Sequence, residues 1–172
     1  GQSAQRDYIR NFMQETEDLI MMPEMIGEAE HDAIAEKMDL RSAADYWWIQ
    51  NFSVNPDAFG TSSTYLYKEP DPPLGSGKLC WGPLWDFDTA WYFFVSEEPD
   101  APTGFNGTPM VWFDELRDKD PMFVQLLKER WQDPDDGICV KLGEITREGG
   151  LLDRYSAEIH DSWIAEKITV YE

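Results

Sequence analysis

The chain has 172 residues, with 34 Asp and Glu against 14 Lys and Arg and a formal net charge of −20. A nucleic-acid binder neutralises phosphates with Lys and Arg, and a membrane-surface binder meets anionic lipid with basic segments. This composition therefore excludes both and favours cations, or polyanions carried in by cations. With 42% hydrophobic and 14% aromatic residues the chain is not an acidic disordered one, and its length predicts a single domain over residues 2–172, at roughly 100–200 residues per domain.

No apolar stretch reaches the roughly 20 residues that a membrane span needs. The start, GQSAQRDYIR, has neither an initiating Met nor an apolar signal core, and reads as an excised piece with Gly1 as a cloning scar. Cys80 and Cys139 are too few for a disulfide framework or a zinc site, although one disulfide between them is open.

In chain order, Ser3 to about Met22 places Tyr8, Phe12 and Leu19 at helical spacing, with Ile9, Met13 and Ile20 beside them, and Pro23 stops the run. Residues 27–38 form a second, acidic helical stretch. Asp39 or Ser42 can cap the helix SAADYWWIQNF, where Ala44, Trp47, Trp48 and Asn51 at three and four spacing predict heavy burial; it ends at the loop VNPDAFG. TYLYK and KLCWGPLW, joined by the turn EPDPPLGSG, read as a β-hairpin. Residues 99–109 form an irregular loop. Asp120 and Pro121 are an N-cap and first helical residue for PMFVQLLKERW; residues 138–147 are helical, and residues 151–168 carry Leu152, Tyr155, Ile159 and Trp163 on one stripe. The predicted fold class is mainly α with a small β-hairpin.

WDFDTAW follows the second strand directly. In extended chain, side chains two apart share a face about 6–7 Å apart, so Asp86 and Asp88 would project together. Paired carboxylates repel unless a cation or proton sits between them, which suits a hard, oxygen-liking ion such as Mg²⁺ or Ca²⁺. One Asp capping the next segment while the other is solvated is the plainer alternative. A hairpin returns its chain, so Asp57, in the loop before it, should neighbour Asp86. An Asp on a loop, a hairpin, then a metal-holding Asp is also the order of parts in protein-kinase catalytic lobes. An Asx-turn at Asn55 with Asp57 in an ordinary loop explains the same residues without function.

The segments MDLRSAADYWWIQNFSVNPDAFGTSSTYLYKEP, KLCWGPLWDFDTAW and WFDELRDKDPMFVQLLKERW resemble the spore-coat CotH kinase family, especially secreted members from gut Bacteroidetes. The resemblance runs from about Asp39 to Trp131. It implies the C-terminal lobe of an atypical kinase that moves phosphate from ATP to Ser or Thr of a secreted or surface protein. Asp57 matches the catalytic aspartate and Asp86 the metal-binding one. Asp88 falls where some members carry Asn, and Ser63 where many carry an Asn that completes the Mg²⁺ or Mn²⁺ shell. The implied parent is extracytoplasmic. A phosphate-covering loop and a nucleotide-lobe lysine are not found in the chain, so the resemblance implies a lobe inactive by itself.

Other motifs fail. GSGK has Pro72 where a P-loop needs its first Gly and Leu79 after the lysine; QDPDDG lacks the ligand positions of a calcium loop. His31 and His160 read as solvated helix positions, Lys68 and Lys78 as solvated strand residues, and Trp47, Trp131 and Trp163 as core. A competing function is a non-catalytic carbohydrate- or protein-binding module with Trp81, Trp91 or Trp112 lining a groove. A third reading pairs the carboxylates as a glycosidase, which needs them about 5–10 Å apart.

Overall fold

A computed structural model describes residues 2–55, 63–88, 90 and 111–170, apart from the side chains of residue 2 and residues 161–170. The elements are α1 (Gln2–Ile20), α2 (Glu28–Lys37), α3 (Leu40–Phe52), β1 (Leu66–Lys68), β2 (Leu79–Trp81), α4 (Val111–Lys119), α5 (Pro121–Gln132), α6 (Ile138–Thr146) and α7 (Leu151–Val170). The expected class, mainly helical with one small hairpin, is what the chain adopts. The predicted loop over residues 99–109 lies outside the described residues, and α4, which follows, was not singled out as a helix. No described helix is long and apolar enough to cross a membrane.

The chain divides into two compact units, residues 1–128 and 129–172. In the first, Ile20, Ile34, Met38, Tyr46, Trp47, Trp81, Phe113, Leu116 and Phe123 form the centre of one apolar cluster. Burying such side chains contributes about 1.5–3 kcal/mol each before the cost of ordering the chain. In the second unit α6 packs on α7. Asp133 Oδ1 accepts from the backbone N–H groups of Asp135 and Asp136 at 2.9 and 3.0 Å, so the QDPDDG segment is a self-satisfied turn. A Cβ at Gly137 would lie 2.3 Å from the Asp133 carbonyl, which is why glycine closes it. Leu152, Tyr155 and Ile159, the apolar stripe of α7, are exposed.

β1 and β2 pair antiparallel with Leu66 opposite Trp81, Tyr67 opposite Cys80 and Lys68 opposite Leu79. β2 is also bound on its other edge. The Asp39 N–H donates to the Leu79 carbonyl at 2.8 Å, and the Trp81 N–H donates to Ser42 Oγ at 3.1 Å. A three-residue strand is thus hydrogen-bonded on both sides, which compensates for the marginal stability of an isolated hairpin. Asp39 serves as the α3 N-cap, its Oδ1 accepting from Arg41 and Ser42 N–H at 3.0 and 3.1 Å. The Trp81 ring packs against Tyr46 and Phe113 at 5.3 and 4.6 Å between centroids, and edge-on to Trp112 at 6.4 Å. Trp81 is therefore core and Trp112 is partly buried against it, rather than standing as exposed platforms; Trp91 lies outside the described residues.

Several sequence expectations are corrected by partners distant along the chain. His31 is not a solvated helix position: its Nδ1 lies 2.7 Å from Oδ2 of Asp120, whose side chain is fully buried. The other oxygen of Asp120 accepts from Met122 and Phe123 N–H at 2.9 and 3.0 Å, so one carboxylate caps α5 as expected and ties it to α2. His160 is exposed. Lys68 is not a solvated strand residue either, with a side chain only 8% exposed. Its ammonium sits 4.7 Å from the Phe12 ring centroid and 5.2 Å from that of Tyr8, and 2.5 Å from Asp71. The Tyr8 hydroxyl donates to the same carboxylate at 2.9 Å, and Lys37 of α2 lies 4.8 Å from the Phe12 centroid. Phe12 is thus held by two ammonium groups that fasten α1 to α2 and to the hairpin. Cys80 is buried in β2, Cys139 is exposed in α6, and both are free thiols, so the disulfide left open by the sequence is not formed.

The Lys68 cluster has a definite pH response. Burial pulls the ammonium down, but hydrogen bonds to Asp71 and Tyr8 outweigh it and hold Lys68 above the ordinary lysine range. The hydrogen bond from Lys68, reinforced by Tyr8, holds the Asp71 carboxyl below the ordinary range. A depressed carboxylate contributes stability above its unfolded pKa, about 3.9, and loses it as pH falls through the lower folded value. Urea titrations below about pH 4 should show a steeper loss in the wild type than in Asp71→Asn, and Lys68→Ala at neutral pH should cost about 1–2 kcal/mol. Asp120→Ala removes a cap and leaves a half-buried imidazole unpaired; its urea midpoint should fall by the equivalent of about 2–3 kcal/mol, and Asp120→Asn, which keeps the capping oxygen, should lose less.

Candidate functional site

α3 closes in a way that shapes the loop after it. The Val54 N–H donates to the Asn51 carbonyl and the Asn55 N–H to the Gln50 carbonyl, both at 3.2 Å, the paired bonds of a Schellman closure. Such a closure requires a left-handed residue, normally glycine, and here it is Val54, with φ 49°. A β-branched residue in that region is strained, at a cost of about 1–2 kcal/mol. The strain turns the chain sharply at Asn55, which is fully buried, two residues before Asp57. Asp57 lies outside the described residues.

The chain leaving β2 runs along α3. Gly82, Pro83 and Leu84 face Ser42, Asp45 and Ile49 across a cleft of about 260 Å³, smaller than the roughly 300–1,000 Å³ of typical ligand pockets and too small for a nucleotide. The segment then reaches Asp86, whose φ is 62°. The expectation that residues 85–88 continue as extended strand, pointing Asp86 and Asp88 to one face, is therefore corrected: β2 ends at Trp81, and a left-handed Asp86 breaks the period-two alternation. Val54 and Asp86 are the non-glycine residues with positive φ among those described, and both belong to this site.

Two side chains bond to Asp86, and two more stand behind them. The buried Ser63 hydroxyl donates to Oδ2 at 2.7 Å. Asn55 Nδ2 donates to the Asp86 carbonyl at 3.0 Å and to Gln50 Oε1 at 3.1 Å. Tyr46, one turn before Gln50, flanks them; burial raises its phenol above the ordinary tyrosine range, while hydrogen bonds with Thr64 and Gln50 work against that rise. Gln50 Nε2 has no partner of good hydrogen-bond geometry, although the Tyr46 phenol is near enough to feel its amide. The structure thus brings Ser63 and Asp86 together and places Asp88 two residues on, exposed.

Among the described residues no three His, Cys, Asp or Glu side chains gather into a metal-holding group. What the site offers is an exposed carboxylate at Asp86, hydroxyl-bonded on one oxygen, with a second exposed aspartate, Asp88, two residues on in the sequence. These are hard oxygen donors, the chemistry that suits Mg²⁺ or Mn²⁺ rather than a soft metal, and ions of that kind keep part of their shell for water and phosphate. Sequence reasoning overlooked Gln50 and Tyr46. A signal was available: Gln50 falls on the same face of α3 as Ala43, Tyr46 and Trp47, so a glutamine on an apolar stripe needed a buried partner.

No curated protein and no solved structure matches the chain. The family described as CotH kinase protein matches residues 1–138, a span that holds α1 to α5, the hairpin and every residue of the site. That span is about four-fifths of the sequence, and the chain belongs to the CotH kinase family.

Proposed function

We propose that the chain carries the phosphate-transfer site of a protein kinase that moves the terminal phosphoryl group of ATP to Ser or Thr of a secreted or surface protein. The observation that supports this most is the Asn55 bridge: Asn55, two residues before Asp57 in the sequence, is hydrogen-bonded to the backbone of Asp86, the aspartate assigned to metal holding. In this reading Asp57 orients the substrate hydroxyl and accepts its proton as the oxygen attacks phosphorus. Asp86, with Asp88 and Ser63, would hold Mg²⁺ or Mn²⁺. A bound divalent cation neutralises charge on the phosphate oxygens, which is most of what phosphoryl transfer asks of a protein.

The Ser63 hydroxyl donates to Asp86, so its first role is to fix the carboxylate's orientation; a lone pair is left for the cation's shell. Lys68 of β1 is committed to Asp71 and to two aromatic rings, so it is not free to hold phosphate, and in this reading the metal supplies positive charge for ATP. The acidic surface and the family's secreted members favour an extracytoplasmic setting.

Millimolar Mg²⁺ or Mn²⁺ should raise the melting temperature of the wild type, and Asp86→Asn should abolish that response; equal shifts in both would remove Asp86 from the metal site. Ser63→Ala should bind Mn²⁺ about tenfold more weakly while melting normally without metal. With the full protein, labelled ATP and an acceptor protein, Asp57→Ala should lower the transfer rate about a hundredfold or more at unchanged Mn²⁺ affinity. Transfer at the wild-type rate would rule out the proton-accepting role.

A further inference from the structure

Gln50 is completely buried on α3 and carries no charge, yet it holds the turn after the helix at two points. Its backbone carbonyl accepts the Asn55 N–H at 3.2 Å, and its side-chain Oε1 accepts Asn55 Nδ2 at 3.1 Å. The second Nδ2 proton goes to the Asp86 carbonyl at 3.0 Å. Both partners of this nitrogen are acceptors, which fixes the orientation of the Asn55 amide and uses both of its protons. The two non-glycine residues with positive φ among those described both adjoin Asn55: Val54 precedes it in the chain, and Asp86 carries the carbonyl that it grips. Strained backbone persists only where its surroundings over-determine it, and Gln50 to Asn55 to Asp86 is the set of bonds that does so here.

We propose that Gln50 is a positioning residue for the Asp86 carboxylate, acting through Asn55: it orients the asparagine amide, which grips the Asp86 carbonyl and holds that residue left-handed, with its carboxylate toward Ser63. The inference rests on the reading of Asp86 as the metal-holding aspartate, but the geometry it asserts exists without metal. An acceptor at position 50 and a two-proton donor at position 55 are both required. Aspartate at 55 would set its oxygen against two others, and an apolar residue at 50 would leave one Asn55 proton unsatisfied in a buried site.

The test is backbone NMR of the 172-residue protein without metal, on Gln50→Met, Gln50→Glu and Asn55→Ala. Gln50→Met keeps length and apolar packing. It should leave the melt cooperative while the Asp86 carbon shifts move toward right-handed or averaged values, and the Asn55 side-chain amide protons should exchange about tenfold faster or more. Gln50→Glu, which keeps an acceptor, should retain the left-handed Asp86 shifts. Asn55→Ala should reproduce the Gln50→Met shifts, and the double variant should add nothing further. Unchanged Asp86 shifts in folded Gln50→Met overturn the proposal; should that variant not fold, unchanged shifts in Asn55→Ala overturn it equally. A parallel Mn²⁺ titration separates the two readings. If Asp86→Asn binds Mn²⁺ as the wild type does, the metal assignment fails while the positioning role is decided by the shifts alone. If Asp86→Asn loses binding, Gln50→Met should weaken it about 10–100-fold.

Discussion

The docking of β2 on the start of α3 is the constraint from which the rest of the first unit follows. Trp81 donates its backbone N–H to Ser42, its indole N–H meets Met38 Sδ at 3.3 Å, and its ring fills the space between Tyr46 and Phe113. That contact fixes where the strand leaves the sheet and in which direction. From there residues 82–86 follow α3 toward its C-terminal end. From Ser42 to Gln50 the helix rises about 12 Å, and five residues of extended chain reach about 16 Å, so the strand exit arrives at the turn with little slack. Asp86 meets Asn55 because Trp81 meets Ser42.

The polar groups in this unit are placed with the economy that a low-dielectric interior demands. Asp120 is buried but divides its oxygens between two backbone N–H groups and an imidazole, and Asn55 divides its amide between two acceptors. Lys68 has its stem in the protein and its head between two rings and a carboxylate. Each therefore joins elements far apart in sequence. Other acidic residues, such as Asp18, Asp32, Glu36 and Glu158, lie exposed on the helices, where water solvates them.

What could be read from the sequence was what is local. Asp39 and the Asp120–Pro121 pair announce helix starts because capping is a matter of two or three residues, and the hairpin announces itself by a change of period around a proline- and glycine-rich turn. Helix α4 escaped because it is short and its Val111, Trp112 and Phe113 run consecutively, which periodicity does not separate from a strand. The partners of His31 and Lys68 escaped because the His31–Asp120 pair spans 89 positions and the rings beneath the Lys68 ammonium, Tyr8 and Phe12, belong to α1. Nothing in the local pattern marks such residues. Asp86 and Ser63 were recognised through a family resemblance, whereas the left-handed backbone that presents Asp86 was not, since Asp is an uncommon occupant of that conformation.

The Asn55–Asp86 bond also has a place in time. It closes a loop of 31 residues, and the Ser42–Trp81 bond closes one of 39, whereas every helix can form from its own neighbours. Local helix formation takes about a microsecond or less, but long-range closures wait on chain entropy and on one another. Both closures join segments far apart in sequence, so the site is completed by long-range contacts that come after the local helices. A nascent or partly opened chain would have its helices without the bond that joins the turn after α3 to the hairpin's exit.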